Sequence, residues 1–252
     1  MKVSIITVVY NGVSTIEDTI KSIKSQTYNN IEYIIIDGGS TDGTLEVIEK
    51  YSEDISKLVS EKDNGIYDAM NKGVKIATGE IIGILNADDV YSDKNVIDRI
   101  LNEFINNPDL EVIYSDLEYV DKNNFQKVIR YWKSCAYYPK FFKHGHVPPH
   151  PTLFVHRKIY EDFGVYDSSL KVAADYEFML RIFTSKQPIK SKYISIVLVK
   201  MRVGGESNKS IKNILRGNLE IYRAWIKYHN KFPYSLIFRR INIKAKQFFT
   251  HD

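Results

Sequence analysis

The sequence predicts an α/β fold built on a mostly parallel sheet with helices on both faces. Three observations carry that expectation. Short Ile- and Val-rich runs lack a polar break, amphipathic helical stretches alternate with them, and acidic or amide clusters follow directly after them. A strand covered on both faces reads as an unbroken apolar run because neither face meets water. In such sheets ligands bind beyond the C-terminal strand ends, so those clusters mark the first place to look for function.

The elements follow in order. Residues 3–10 are a β-branched run, long enough for a buried strand and too short for a helix. Ser14-Thr15-Ile16-Glu17 has the spacing of a capping box, and Val13, Ile16, Ile20 and Ile23 then recur near the helical period. Residues 31–37 (IEYIIID) predict a second buried strand, 38–43 a Gly-rich turn and 44–51 the opening of a helix. A short third strand is expected over 57–61, and Met70, Val74 and Ala77 share one face of a helix over 68–77. A strand at 80–85, a helix over 93–106 and a strand at 111–115 complete the regular half. Beyond it the pattern predicts a hairpin over 118–132 turning at Lys122-Asn123-Asn124, a strand over 152–155, a helix beginning near Ala174 and a strand over 194–203.

The 252 residues are 44% hydrophobic and 26% charged, which excludes a disordered or fibrous chain and suffices for a substantial core. No apolar run approaches the ~18–20 residues of a membrane span, and the N-terminus lacks a signal-peptide pattern. The single cysteine, Cys135, excludes a disulfide framework and a cysteine zinc site, and a reducing cytoplasm is the expected compartment. His144, His146, His150 and His156 lie close together, but their spacing is not that of a standard zinc site, and the prolines at 148, 149 and 151 set an extended loop.

The net charge of +4 is uneven. Residues 207–252 hold ten Lys and Arg against Glu220 and Asp252, a balance of +8, which leaves −4 for residues 1–206. The tail reads as helix over 211–230, is broken at Pro233 and resumes over 236–249, with apolar and Lys/Arg stripes side by side. Such a tail either lies on an anionic lipid surface or packs on the domain with its charges solvated. It carries no nucleic-acid-binding motif, so no nucleic-acid partner is expected.

Asn86-Ala87-Asp88-Asp89 follows a strand of Ile and Leu. Adjacent carboxylates at a buried strand end repel each other unless a cation compensates, which suits a divalent metal; a solvated turn with a capping Asp uses the same residues. Asp37 before Gly38-Gly39 and Asp63 before Asn64-Gly65 can each accept a nucleoside hydrogen bond, although taken alone they read first as turn chemistry. There is no G-x-x-x-x-G-K-[ST] and no G-x-G-x-x-G after the first strand, which argues against a P-loop enzyme and a dinucleotide-dependent dehydrogenase.

The ordered succession V-x-x-Y-N-G at 8–12, I-I-I-D-G-G-S-T-D-G-T at 34–44, D-N-G-I-Y-D-A-M-N-K-G at 63–73 and A-T-G-E-I-I-G-I-L-N-A-D-D at 77–89 resembles family 2 glycosyltransferases. The resemblance covers about 1–205 and implies the GT-A fold and a nucleotide-sugar donor, with a UDP-sugar expected. It implies that Thr7, Tyr10 and Asp37 surround the nucleobase, that Asp63 lies near base or ribose, and that Asn86 and Asp88 stand where the family has D-x-D. Asp88 would then ligate Mg²⁺ or Mn²⁺. The first acid of that pair is the neutral Asn86, a departure from the family pattern that Asp89 partly offsets. Ala173-Ala174-Asp175-Tyr176-Glu177-Phe178 matches the acidic motif of the catalytic base, which points to Asp175 ahead of Glu177. A positioned carboxylate can take the proton of a sugar hydroxyl as the new C–O bond forms. His150 would line the site toward acceptor or donor phosphates, and Arg202, before a G-G-x-S stretch, would meet the diphosphate.

The expected protein is an inverting, metal-dependent glycosyltransferase acting on a saccharide, lipid-linked in the synthesis of bacterial surface polysaccharide. Residues 1–117 would form its nucleotide-sugar half, 118–206 its acceptor half and 207–252 a basic tail peripheral on the inner face of the membrane. A catalytically silent nucleotide-sugar-binding subunit and a nucleotidyltransferase are the alternatives.

Overall fold

The computed structural model describes residues 1–187, 189–204 and 210–248. Strand β1 (Val3–Val9) pairs in parallel with β2 (Ile31–Asp37) and β4 (Ile81–Ile84), and β2 pairs in parallel with β3 (Lys57–Ser60). The resulting order β3-β2-β1-β4 is that of a dinucleotide-fold half, with α1 (Ile16–Lys24), α2 (Thr44–Glu49) and α3 (Ile66–Ile76) between its strands.

The sheet then continues with β8 (Phe154–His156), β6 (Val112–Asp121), β9 (Ser191–Arg202) and β5 (Asp89–Tyr91), while β7 (Asn124–Trp132) folds back on β6. Here β9 is parallel to β6, and β8, β5 and β7 run antiparallel to their neighbours. The remaining helices are α4 (Val96–Asn106), α5 (Arg157–Phe163), α6 (Ala174–Phe183), α7 (Ile211–His229) and α8 (Ser235–Lys246).

The apolar strands are explained by a core on each face. Alternate residues divide cleanly: Val3, Ile5 and Ile35 pack with α1 and α4, whereas Ile6, Ile34 and Ile36 pack with α3 and α6. Helix α3 lies unusually close to the sheet because a Cβ on Gly73 would stand 2.4 Å from Ile6 Cγ2. That close approach accounts for the glycine closing the 63–73 motif.

Several expectations needed correcting. The expected strand at 111–115 and the first arm of the expected hairpin are one continuous strand, β6, because its second half pairs with both β7 and β9. Neither strand β5 nor helix α5 is anticipated from the sequence; at three and seven residues both are too short for periodicity to reveal. The capping box does not form: Thr15 is the N-cap of α1 without a side-chain cap bond, and its hydroxyl turns back to the Gly12 carbonyl at 3.3 Å.

The C-terminal helices pack on the body. Trp225 is buried and donates its indole N–H to the Tyr176 hydroxyl at 2.9 Å, and the Gln247 carbonyl accepts the Tyr131 N–H at 3.1 Å. Within the described residues, no helix is long and apolar enough to cross a membrane.

Candidate functional site

The segments after β1 and β2 are laced together by the motif residues themselves. The Ser40 hydroxyl accepts the Asn11 N–H at 2.8 Å, Asn11 Oδ1 accepts the Thr41 N–H at 2.9 Å, and the Thr44 hydroxyl accepts the Gly12 N–H at 2.9 Å. Asn11 holds a left-handed φ of 51°, a conformation that asparagine tolerates. The polar motif residues thus satisfy backbone that strand ends leave open.

Asp37 is fully buried at the end of β2, where its carboxylate accepts the N–H groups of Gly39 and Ser40, both at 3.1 Å, and the Ser60 hydroxyl at 2.7 Å. Asp63 accepts the Gly65 N–H at 2.8 Å. Gly38 separates them: a Cβ there would lie 2.4 Å from Asp63 Oδ2 and 3.4 Å from the Tyr10 ring. Tyr10, Asp37 and Asp63 therefore meet around one glycine, and Tyr10 stands 66% exposed above it. Thr7 lies deeper, buried within β1, where its hydroxyl accepts that of Tyr33 at 3.3 Å.

If Tyr10, Asp37 and Asp63 form a nucleotide site, Gly38→Ala should weaken nucleoside diphosphate binding about tenfold with little change in melting temperature, because the Asp63 side chain yields before the backbone does. Titration of UDP and GDP followed by calorimetry, beside a thermal melt, checks it.

A second polar group spans the loop after β4 and the first residue of β5. Asp89 is fully buried, and its carboxyl is pushed well above the usual carboxylate range by burial and then by the neighbouring Asp88. The Oδ1 atoms of Asn86 and Asp89 are buried without a hydrogen-bond partner. Arg202 braces this loop: Nη1 donates to the Asp88 carbonyl at 2.8 Å and Nε to the Lys122 carbonyl at 3.0 Å, while Nη2 pairs with Asp18. The guanidinium also stacks 4.3 Å from the centre of the Phe125 ring. It acts here as a clamp between α1, the loop and the hairpin. The G-G-x-S stretch after it lies outside the described residues from Gly205 onward.

The third group gathers at the start of α6. Ala173, not Asp175, is the N-cap, and no side chain caps this helix. The Asp175 carboxylate is therefore left for another partner, and the Tyr67 hydroxyl lies 3.0 Å from its Oδ1 and 2.9 Å from the Val172 carbonyl, one proton shared between two acceptors. Lys171 Nζ donates to the Asn64 carbonyl at 2.7 Å, which ties this loop to the one bearing Asp63. The Tyr119 hydroxyl titrates above its usual value through burial, against the lowering charge of Arg130, which lies 3.7 Å from the centre of its ring.

Glu177 looks elsewhere, since residues two apart on a helix do not share a face. It is buried against Arg181 at 3.1 Å and Lys227 at 3.6 Å and accepts the Tyr228 hydroxyl, joining α6 to α7. His150 is buried in a chain of aromatic side chains: its Nε2 lies 3.0 Å from the Tyr166 hydroxyl, which lies 3.1 Å from that of Tyr160. Burial lowers the His150 pKa, so its neutral form prevails at pH 7.

Sequence reasoning missed two participants. Tyr67 lay inside a quoted motif without an assigned role. Glu220 on α7 accepts the N–H groups of Lys171, Val172 and Ala173 at 3.0, 2.9 and 2.9 Å. It could have been noticed as the sole acid among the tail's basic residues before Asp252.

Two polar clusters thus lie at the ends of the parallel strands and a third gathers at the start of α6. The profile of glycosyl transferase family 2 matches residues 4–163, and the chain belongs to that family. A PGL/p-HBAD biosynthesis glycosyltransferase of Mycobacterium bovis is 27% identical over 209 residues, covering 81% of this chain and 78% of the relative. An uncharacterized glycosyltransferase of Mycobacterium tuberculosis is 26% identical over 258 residues, covering 99% and 93%. Among solved structures, Staphylococcus aureus TarS 1–349 in complex with UDP superposes with a TM-score of 0.67 at 16% identity, covering 100% of this chain and 73% of that one. The mannosyltransferase PcManGT of Pyrobaculum calidifontis, in complex with GDP-Man and Mn²⁺, gives 0.65 at 17% identity, covering 100% and 76%. These two likenesses establish the fold.

Proposed function

We propose that the protein is an inverting glycosyltransferase that moves a sugar from a nucleotide sugar, a UDP-sugar first among candidates, to a hydroxyl of a lipid-linked saccharide. The observation that carries this reading is Asp175: a carboxylate at a helix start, unused by capping, oriented by Tyr67 and tied through Lys171 to the Asp63 loop. Tyr10 offers a ring face to the nucleobase, Asp37 and Asp63 accept from base or ribose, and Thr7 supports them from below. Asp175 takes the proton of the acceptor hydroxyl as its oxygen attacks the anomeric carbon, and the nucleoside diphosphate leaves from the opposite face. Residues 1–117 hold the donor and 118–206 the acceptor. Surface-polysaccharide synthesis at the cytoplasmic side of an anionic membrane, with 207–252 as the tether, is the setting this implies.

The residues near Asp88 suit a hard cation. Among the described residues no three His, Cys, Asp or Glu side chains gather as a cation site. Mg²⁺ is commonly held by one or two carboxylates together with substrate phosphates, so a full protein cage is not required. Asp88 would hold Mg²⁺ or Mn²⁺, with the unpartnered oxygens of Asn86 and Asp89 as further donors. When bound, such an ion supplies charge neutralisation to the departing diphosphate.

Three measurements test the reading. A thermal-shift screen of UDP-, GDP- and dTDP-sugars with Mn²⁺ should single out one donor. EDTA should stop transfer, and Asp88→Ala should lose Mn²⁺ binding in calorimetry with the nucleoside diphosphate present; full transfer in EDTA would remove the metal role. A silent sugar-nucleotide-binding subunit is the second reading, favoured by the neutral Asn86. Slow hydrolysis of the donor by the purified protein separates the two, since a silent subunit gives none.

A further inference from the structure

The C-terminal helices carry more apolar surface than their packing uses. Helix α7 turns Gly217, Ile221, Ala224 and Trp225 inward. A second apolar strip, Ile211, Leu215, Leu219, Tyr222 and Ile226, follows four-, four-, three- and four-residue steps along the opposite side, with Ile211 78% and Leu215 65% exposed. Helix α8 buries Leu236 and presents Ile237, Phe238 and Ile241 outward, with Phe238 72% exposed. At the turn between the helices the buried Phe232 ring lies 5.2 Å from that of Tyr222 on the α7 strip and 5.5 Å from that of Tyr234, which precedes α8. An extended apolar surface of this kind marks a docking site.

Charge identifies its occupant. Residues 211–248 include nine Lys and Arg and one acid, Glu220, whose carboxylate is buried against backbone N–H groups. Every charged side chain this segment shows to solvent is therefore a cation. A second copy would set two cationic faces against each other, which opposes pairing. An anionic bilayer supplies an apolar interior for the strips and negative headgroups for the flanking Lys and Arg.

We infer that the outward strips of α7 and α8 are the seat of an anionic bilayer, with Phe238, Ile241 and Leu215 entering the lipid and Lys212, Arg223 and Arg239 meeting the headgroups. The seat is not a loose tether. The same α7 holds residues 171–173 through Glu220, so the rim of the site beside Asp175 stands at a fixed place relative to the lipid plane. The lipid seat stands on the exposed strips alone; that it serves transfer rests on the reading of the acceptor as lipid-linked.

The test uses the full chain and two kinds of vesicle, phosphatidylcholine alone and phosphatidylcholine with phosphatidylglycerol. Wild type should cosediment with the second kind, weaken in high salt, and bind the first at least ~10-fold less well. The double variant Phe238→Glu/Ile241→Glu should lose vesicle binding and keep its melting temperature, because both side chains are already in water. It should also keep its turnover of a water-soluble acceptor. Equal cosedimentation of variant and wild type, or no binding of wild type to anionic vesicles, overturns the proposal. So does a wild-type dimer in solution that the variant turns into a monomer, which would make a second copy the occupant. Vesicle binding requires no turnover, so an inactive protein that still binds would sink the transferase reading and leave the lipid seat standing.

Discussion

Asp175→Asn should leave the protein folded and able to bind its donor while kcat falls by about 10²–10⁴-fold, the range that a positioned general base contributes. The substitution changes shape very little. Asn still accepts the Tyr67 hydroxyl through its amide oxygen, so the start of α6 keeps its place. What disappears is the capacity to take a proton. A sugar hydroxyl ionises far above neutral pH, so without a base its oxygen must attack while still protonated. Single-turnover transfer with saturating donor, together with donor affinity by calorimetry, separates chemistry from binding. Ordinary turnover by this variant would displace the base from Asp175. Glu177 would be a poor successor, because its carboxylate is already engaged by Arg181 and the Tyr228 hydroxyl.

The sequence showed the first half of the fold plainly, for a physical reason. Strands β1, β2 and β4 are covered on both faces, so burial wrote unbroken Ile and Val runs into them, and the helices between them needed one apolar face each. The second half was less legible because its pairing is non-local. Asp89 and Met201 become partners only when β5 meets β9, and nothing near either residue announces it. The site shows the same division. Tyr10, Asp37, Asp63 and Asp88 follow strands and could be picked out by position. The tasks of Tyr67 and Glu220 depend on partners more than a hundred and about fifty residues away, at Asp175 and at 171–173. Chemistry also misled where burial intervened. Arg202 looked like a phosphate ligand, yet it is spent on Asp18 and two carbonyls, and the α7 periodicity merged an inward face with an outward one.

Glu220→Gln should lower kcat by about 10–100-fold without weakening donor binding, although Glu220 touches neither substrate nor any reacting atom. Its carboxylate, only 4% exposed, gathers three consecutive N–H groups that the chain offers before α6 begins. Arg216 pairs with it at 3.1 Å from one turn earlier on α7. Burial alone would raise its pKa, but the three N–H donors and Arg216 outweigh burial and hold it below the usual glutamate value. The folded value is thus lower than the unfolded one. The stabilisation is present above the ordinary glutamate pKa and is lost as pH falls through the folded value. Gln keeps one oxygen for the donors and turns an N–H₂ toward the rest, so part of the gathered backbone is released. Asp175 begins two residues after Ala173, and a displacement of about 1 Å at a base is enough to cost about 100-fold in rate. Glu220→Ala strips all three donors of their acceptor and should cost more stability, about 1–3 kcal/mol for leaving buried polar groups unpaired. The decisive comparison is kcat and donor KM for Glu220→Gln well below its melting temperature. A loss confined to kcat, with an unchanged donor KM, marks a residue that positions the base. A variant that melts earlier yet turns over at the wild-type rate would reduce Glu220 to a packing contact and leave the placement of Asp175 to Tyr67 alone.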